Sequence, residues 1–445
     1  MTNTKLVLVF ITIALLFIST VSAEQPAEQT RLVVTGLITG GAGEKVGIKI
    51  NDVFIKYNGK FVSTRNELNE YKNQVKGDSV EITVEREIEG GLPHALKVIT
   101  VNIPKGPIGV YLTELLPDLK YKEDAVVING IPKLGWETSK INSFIACVEL
   151  VANHLGIKKD YIEINGISGA AFRLQFCKDW CPSSPDPTCG YNNGEDALKA
   201  LGLEYKSYSL SPDGKNKPKI KKAIMESIDK KIPVIAIDLI DTAEWGLVTG
   251  YQDNGEELLC RSYFDKRNSY EIAQKFPWVL YVIMGKKDVA KDTKLYQQSF
   301  KTIYANLTTK NYGQYFSGIN AFDQWIEHLE KSDFAKMDSA KFNNAVFANG
   351  WIFDRLAVDR NDAAVYLETV ANKIPELSKK LTELANIYKE EAKILQETNV
   401  NIPNSNIIKS SIEWTSEMRQ EQIALLQKAK VKEEAALNIW KEIVK

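Results

Sequence analysis

The chain has 445 residues, with Lys+Arg 56 against Asp+Glu 57 and a formal net charge of −1. That balance excludes an electrostatic nucleic-acid binder, and no basic cluster suggests a lipid surface. The length exceeds what one core organises, so two or three domains are expected, and 5 cysteines are too few for a disulfide scaffold.

Residues 1–23 read as a secretory leader. Lys5 gives a basic start, an apolar run follows from Leu6 to Ile18, and Val21 and Ala23 occupy the −3 and −1 places of a cleavage site. The run is shorter than the roughly 20 apolar residues of a membrane span. The expectation is an exported protein, periplasmic or secreted, touching a membrane only through this leader if it stays uncleaved.

Residues 28–116 carry short alternating runs and turns. LVVTGLI reads as a strand, and Gly40, Gly41, Ala42 and Gly43 lead into a one-turn helix ending at Gly47. VFIKY is a second strand, and Asn58-Gly59 is a hairpin turn. TRNELNEYKNQV has helical spacing, with Leu68, Tyr71 and Val75 on one side. SVEITVERE and KVITVNI are strands joined through the turn EGGLPH, which contains His94, and GPIGVYL closes the series. The order of small-residue turn, Gly-hydrophobic step, Asn-Asp and Asn-Gly resembles bacterial PDZ domains of exported proteases and their regulators. The resemblance implies a groove that binds a peptide or protein C-terminus, or an extended segment, by adding a strand beside the second helix. It points to Leu68 and Tyr71 on that helix. It also points to Gly106, Ile108 and Gly109 as a carboxylate loop, placed late in the module as in a permuted strand order.

Residues 122–286 become mixed α/β. IACVELVANHLG is an amphipathic helix, GEDALKALG and PKIKKAIMESIDKKI are two more, and PVIAIDLI, WGLVTGYQ, ELLCRSYFD and WVLYVIM are strands of an antiparallel sheet. Cys147 falls at the start of the first helix, where the macrodipole would favour a thiolate; on spacing alone, a core cysteine on the apolar helix face is the favoured reading. The run CVELVANHLGI, then DYIEINGISGAAFRL, IPVIAIDL and EWGLVTGYQDN, resembles the N-terminal domain of the butirosin-biosynthesis acyltransferase family, related to papain-like cysteine peptidases. The resemblance implies a papain-like domain with Cys147 at the nucleophile position. Where the related peptidases open a strand with His, this chain has Glu244-Trp245, and Asp265 falls where the orienting acid would stand. Cys147, Glu244 and Asp265 are therefore the candidate set. His154 lies about 10 Å along the helix from Cys147, too far for a base, and His94 and His328 read as surface or packing residues.

Cys177, Cys181 and Cys189 share a Pro/Gly/Asp-rich loop without a nearby His, so no metal site is expected. An exported chain makes a disulfide in this loop the expectation, Cys181 with Cys189 first among the pairs, and Cys260 reads as core. No sequence motif calls for a cofactor. Residues 288–445 read as a helical bundle, with Tyr312, Tyr315, Phe316, Phe322, Trp325 and Trp351 as core aromatics and Asn306 in a glycosylation sequon.

The fold class expected is thus multidomain α+β: a PDZ-like β-rich module, a papain-like α/β domain and a C-terminal helical bundle. The function expected is an exported, peptide- or protein-binding protein whose papain-like domain lacks peptidase activity. The alternative is a thiol-dependent hydrolase or acyltransferase using Cys147.

Overall fold

The computed structural model describes residues 30–38, 40–87, 96–396, 402–403 and 414–445. The leader, His94 and the EGGLPH turn lie outside the described residues. The chain is mixed α/β with several antiparallel sheets and a C-terminal helical region. It divides into two compact units, one ending at Asp118 and one spanning Leu119–Lys445.

In the first unit β1 (Arg31–Leu37), α1 (Ala42–Lys45), β2 (Val53–Tyr57), β3 (Lys60–Phe61), α2 (Arg65–Gln74), β4 (Ser79–Glu87), β5 (Leu96–Pro104) and β6 (Val110–Leu115) follow in order. Asn58 and Gly59 have φ of 53° and 78°, the two left-handed residues that a tight β2–β3 hairpin requires. The sheet runs β5-β4-β2-β1-β6, so β6 ends it on one side. Period-two alternation sends Val80, Ile82 and Val84 of β4 inward against Leu32, Val34, Phe54 and Tyr57. Thr64 and Glu67 form a reciprocal capping box that fixes the start of α2. Buried Asp52 accepts from Arg86 Nε at 2.6 Å and from the Lys49 amide at 2.8 Å.

In the second unit the elements are β7 (Val126–Val127), α3 (Ser143–His154), α4 (Tyr161–Ile167), β8 (Gln175–Cys177), α5 (Asn193–Ala200), β9 (Leu203–Ser209), α6 (Lys217–Asp229), β10 (Val234–Ile237), β11 (Trp245–Gln252), β12 (Glu257–Arg261), β13 (Glu271–Ile272) and β14 (Val279–Lys286). They are followed by α7 (Asp292–Thr308), β15 (Asn311–Tyr312), β16 (Tyr315–Ser317), α8 (Gly318–Lys331), α9 (Ser339–Ala371), α10 (Ser378–Leu395) and α11 (Ser416–Ile443). The main sheet is antiparallel in the order β13-β12-β11-β10-β14-β9, with β7 on β11. Continuous apolar runs such as VIAI in β10 are buried on both faces, with α3 and α6 packed on the sheet.

The expected boundary between 286 and 288 does not separate two bodies. Ile167 and Phe172, ahead of the sheet, share one core with Phe300, Tyr366, Tyr388 and Trp440 from the helical region. Gly166 makes that approach close: a Cβ there would lie 2.1 Å from Tyr366 Cγ. The stretch expected to be loop contains β8, which pairs with β16 from the helical region, so the two halves also share a small sheet. Buried Arg360 of α9 donates to the Ala171 carbonyl at 2.9 Å and pairs with Glu391 of α10 at 3.3 Å and with Glu433 of α11. Asn306 is buried and donates to Asn193 at 3.4 Å.

Candidate functional site

A cavity of about 880 Å³ opens in the second unit between the first turn of α3, the loops before β11 and after β8, and the N-terminal half of α9. That volume lies within the range of small-molecule sites. Its polar floor is Ser143 and Glu244, and Asp186, Asp354 and Arg355 stand around them. Trp136, Trp245, Trp351, Phe264, Phe347 and Phe353 supply an aromatic wall.

Helix α3 begins earlier than its apolar spacing suggests. Asn142 is the N-cap, its side chain accepting from the Ile145 amide at 3.4 Å. Its own N–H donates to the Tyr161 hydroxyl at 3.0 Å, and its amide nitrogen donates to Asn165 at 3.3 Å. Asn165 in turn donates to Asp362 at 3.1 Å and Asp359 at 3.3 Å, and Asp359 pairs with Arg355 at 2.9 Å. The helical region thereby holds the start of α3. Ser143 is the first helical residue, and the cavity lies against it.

Glu244 precedes β11, whose Trp245 faces Ile237 of β10. The intervening loop closes on itself, the Glu244 amide donating to Thr242 O at 2.7 Å and the Asp238 amide to Glu244 O at 3.1 Å. This turn brings the Glu244 carboxylate to Ser143, whose Oγ donates to Oε2 at 2.6 Å. The Trp245 amide donates to the same Ser143 Oγ at 3.4 Å, and Trp245 Nε1 donates to Asp186 at 2.8 Å. Burial pushes the Glu244 carboxyl up to about 7; the Ser143 bond and Arg355 pull it down, and the Asp186 charge pushes it further up.

The candidate set of Cys147, Glu244 and Asp265 is not assembled. Cys147 sits one turn inside α3 rather than at its start and is 0 % exposed, in the core with Val148, Trp245 and Leu247. Burial, then the nearby Glu244 charge, raises its thiol pKa well above the ordinary value, opposite to what a thiolate needs. Asp265 is tied to Arg261 at 3.1 Å and to the Ser262 amide at 2.8 Å, outside the cavity wall. Burial lifts its carboxyl to about 6, and its contacts make it a fixture of the loop after β12. Glu244 alone of the three lines the cavity, and its partner is Ser143. Two signals mark Ser143 in the sequence: the preferred N-cap residue Asn142 before it, and its place four residues ahead of Cys147 on the same helix face. Trp351, expected as core, belongs to the cavity wall, with the Arg355 guanidinium 5.9 Å from its ring centre.

Cys181 and Cys189 do not form the expected disulfide: all five cysteines are free. Cys181 instead bonds the Tyr315 hydroxyl of β16 at 3.6 Å. Among the described residues, no group of three or more His, Cys, Asp or Glu is arranged to hold a metal ion, and no helix is long and apolar enough to cross a membrane. His154 bonds the Lys231 carbonyl at 2.7 Å and His328 the Gln324 carbonyl at 2.7 Å, neither at the cavity.

In the first unit, Leu68 and Ile108 are each 3 % exposed and belong to the core, so their side chains do not face a groove. The apolar side of α2 is its sheet side. Tyr71 is half-buried, with Lys60 Nζ 4.8 Å from its ring centre. The Gly106–Gly109 loop lies against α1: the Gly43 amide donates to Ile108 O at 2.7 Å and the Ile38 amide to Gly109 O at 2.9 Å. Gly109 has φ +75° and a Cβ there would meet Gly41 Cα at 2.9 Å, so only glycine fits. Arg65, first residue of α2, donates to the Leu112 carbonyl and takes the Glu114 carboxylate on its amide at 2.7 Å. The outward side of edge strand β6 therefore faces the start of α2.

No protein-family model matches the sequence, and no curated protein sequence matches it.

Proposed function

We propose that the chain is an exported protein with two binding surfaces: a PDZ-like groove for an extended peptide, and a papain-like domain that holds a small ligand without thiol chemistry. The observation that carries the second half is the burial of Cys147 behind Ser143, with Glu244 where a thiol enzyme needs a cationic partner. A carboxylate beside a thiol opposes thiolate, and a thiol outside the cavity cannot reach a bound substrate. The first half is supported by β6, which ends the sheet on one side among the described residues, beside the start of α2 and with the glycine-bounded loop ahead of it.

Two measurements test this. Iodoacetamide at neutral pH, with the adducts mapped by peptide, should leave Cys147 unmodified in the folded protein and modify it after urea; rapid alkylation of Cys147 itself in the native protein would overturn the non-thiol reading. Fluorescent peptides ending in an apolar residue should bind the full chain with a free C-terminus and lose at least about tenfold when amidated, since a carboxylate held by backbone N–H groups makes charge-assisted bonds. Equal binding of both forms would remove the carboxylate-loop assignment.

A further inference from the structure

We propose that Ser143 and Glu244 form an acyl-transfer pair, with Ser143 Oγ as nucleophile and Glu244 as its base, acting on esters or amides that carry a positive charge. This goes beyond ligand holding and stands or falls separately from it.

Three features converge. The Ser143 hydroxyl already donates to Glu244 Oε2 at 2.6 Å, the contact that a general base must make with the proton it removes. The hydroxyl lies on the wall of an 880 Å³ cavity rather than in a closed core, so a carbonyl carbon has room to approach. Ser143 is also the first residue of a 12-residue helix, whose first backbone N–H groups have no intrahelical acceptor; the Asn142 side chain takes that of Ile145, and the helical ladder opens with Ala146 donating to the Asn142 carbonyl. The amides of Ser143 and Phe144 precede these two, at the positive end of the helix dipole, where an oxyanion is stabilised.

The step balances without a metal or redox partner. Ser143 Oγ attacks the acyl carbon and its proton passes to Glu244. The tetrahedral oxyanion collapses, the C–O or C–N bond of the leaving group breaks, and Glu244 returns the proton to the departing alcohol or amine. Water then repeats the sequence on the acyl-serine. A carboxyl held near 7 by burial is suited to both halves, since it accepts and returns a proton at neutral pH with little bias.

The charge preference follows from the lining. Besides Glu244, Asp186 and Asp354 line the cavity against one cation, Arg355; Asp186 accepts from Trp245 Nε1 at 2.8 Å but keeps its negative charge, whereas Arg355 is paired with Asp359 at 2.9 Å. Trp136 and Trp351 add aromatic faces, 5.8 Å apart and edge-on to one another. Carboxylates with aromatic faces favour an ammonium group over an anion.

A fluorophosphonate probe tests the nucleophile: it should form a phosphorus–oxygen bond to Ser143 with loss of fluoride. Peptide mapping of the wild-type full chain should place the adduct on Ser143, and Glu244→Gln should slow its formation by on the order of 100-fold or more. Because mapping uses the unaltered protein, a variant that fails to fold does not obscure the result. Ser143→Cys provides a second measure, as the new thiol should react with iodoacetamide in the folded protein. Absence of an adduct on Ser143, or equal rates with and without the Glu244 carboxylate, would overturn the pair. Release of thiol from S-butyrylthiocholine should exceed that from neutral S-ethyl thiobutyrate by about tenfold in kcat/KM. A preference for the neutral thioester would overturn the charge assignment. If an ammonium ligand binds the cavity and no adduct forms, the ligand-holding reading survives and this one does not.

Discussion

Replacing Glu244 with Gln should make the second unit more stable at alkaline pH while changing little at acid pH. Glutamine keeps an oxygen to accept from Ser143 but cannot ionise. In the wild type, burial raises the carboxyl from 4.5 to about 7. Between those values the unfolded chain releases a proton that the folded chain retains, so wild-type stability falls as pH rises and levels off above 7. At about 1.36 kcal/mol per pH unit, the whole window is worth roughly 3 kcal/mol, most of it between pH 5 and pH 8.5. The stability gap between Glu244→Gln and wild type should therefore widen by that amount in favour of the variant. Urea unfolding followed by tryptophan fluorescence reads this directly. All 8 tryptophans (Trp136, Trp180, Trp245, Trp278, Trp325, Trp351, Trp414 and Trp440) lie in the second unit, so the signal is free of the first. A gap that does not change with pH would refute the buried, proton-retaining carboxyl, and with it the electrostatic picture of the cavity floor.

Three further substitutions have definite outcomes. Arg360→Met strands Glu391 and Glu433 without their cation, and thermal unfolding near neutral pH should show a loss of about 3–5 kcal/mol. Gly166→Ala drives a methyl into the buried Tyr366 ring, and a loss of about 3 kcal/mol in urea unfolding is expected; an unchanged midpoint would mean that α4 and α9 can part freely. Thr64→Ala removes half of the capping box of α2 and should cost about 1 kcal/mol, read as faster hydrogen exchange confined to peptides of the first unit.

Most of the strands were legible because their physics is local. VFIKY, SVEITVERE and VIAI announce their burial through alternation or continuous apolarity, and Asn58-Gly59 names its turn. The site was half legible. Glu244 stood out as the residue opening a strand, but Ser143, its hydrogen-bond partner on the cavity wall, did not, because apolar spacing reveals the buried face of a helix and not where the helix begins. The N-cap is set by hydrogen bonds from Asn142 to Tyr161 and Asn165, which lie 19 and 23 residues away and leave no periodic trace. The same holds for α9. Its charges Arg355, Asp359, Arg360 and Asp362 resemble a solvated stripe, yet all four are buried because each finds a partner on another element or a turn away. Leu68 shows the converse error: an apolar face on a short helix is spent on its own sheet before any partner arrives.

The cavity wall is drawn from residues as far apart as Trp136 and Gln396, and its floor is braced by α9. A growing chain can form the main sheet once Lys286 has emerged, yet it still lacks Trp351, Arg355 and the brace on Asn165. Whatever the pocket binds or transforms, it cannot do so on a partly made chain. Closure of this cavity comes late in synthesis, and two pieces cut between 286 and 288 should show no ligand binding there until they meet.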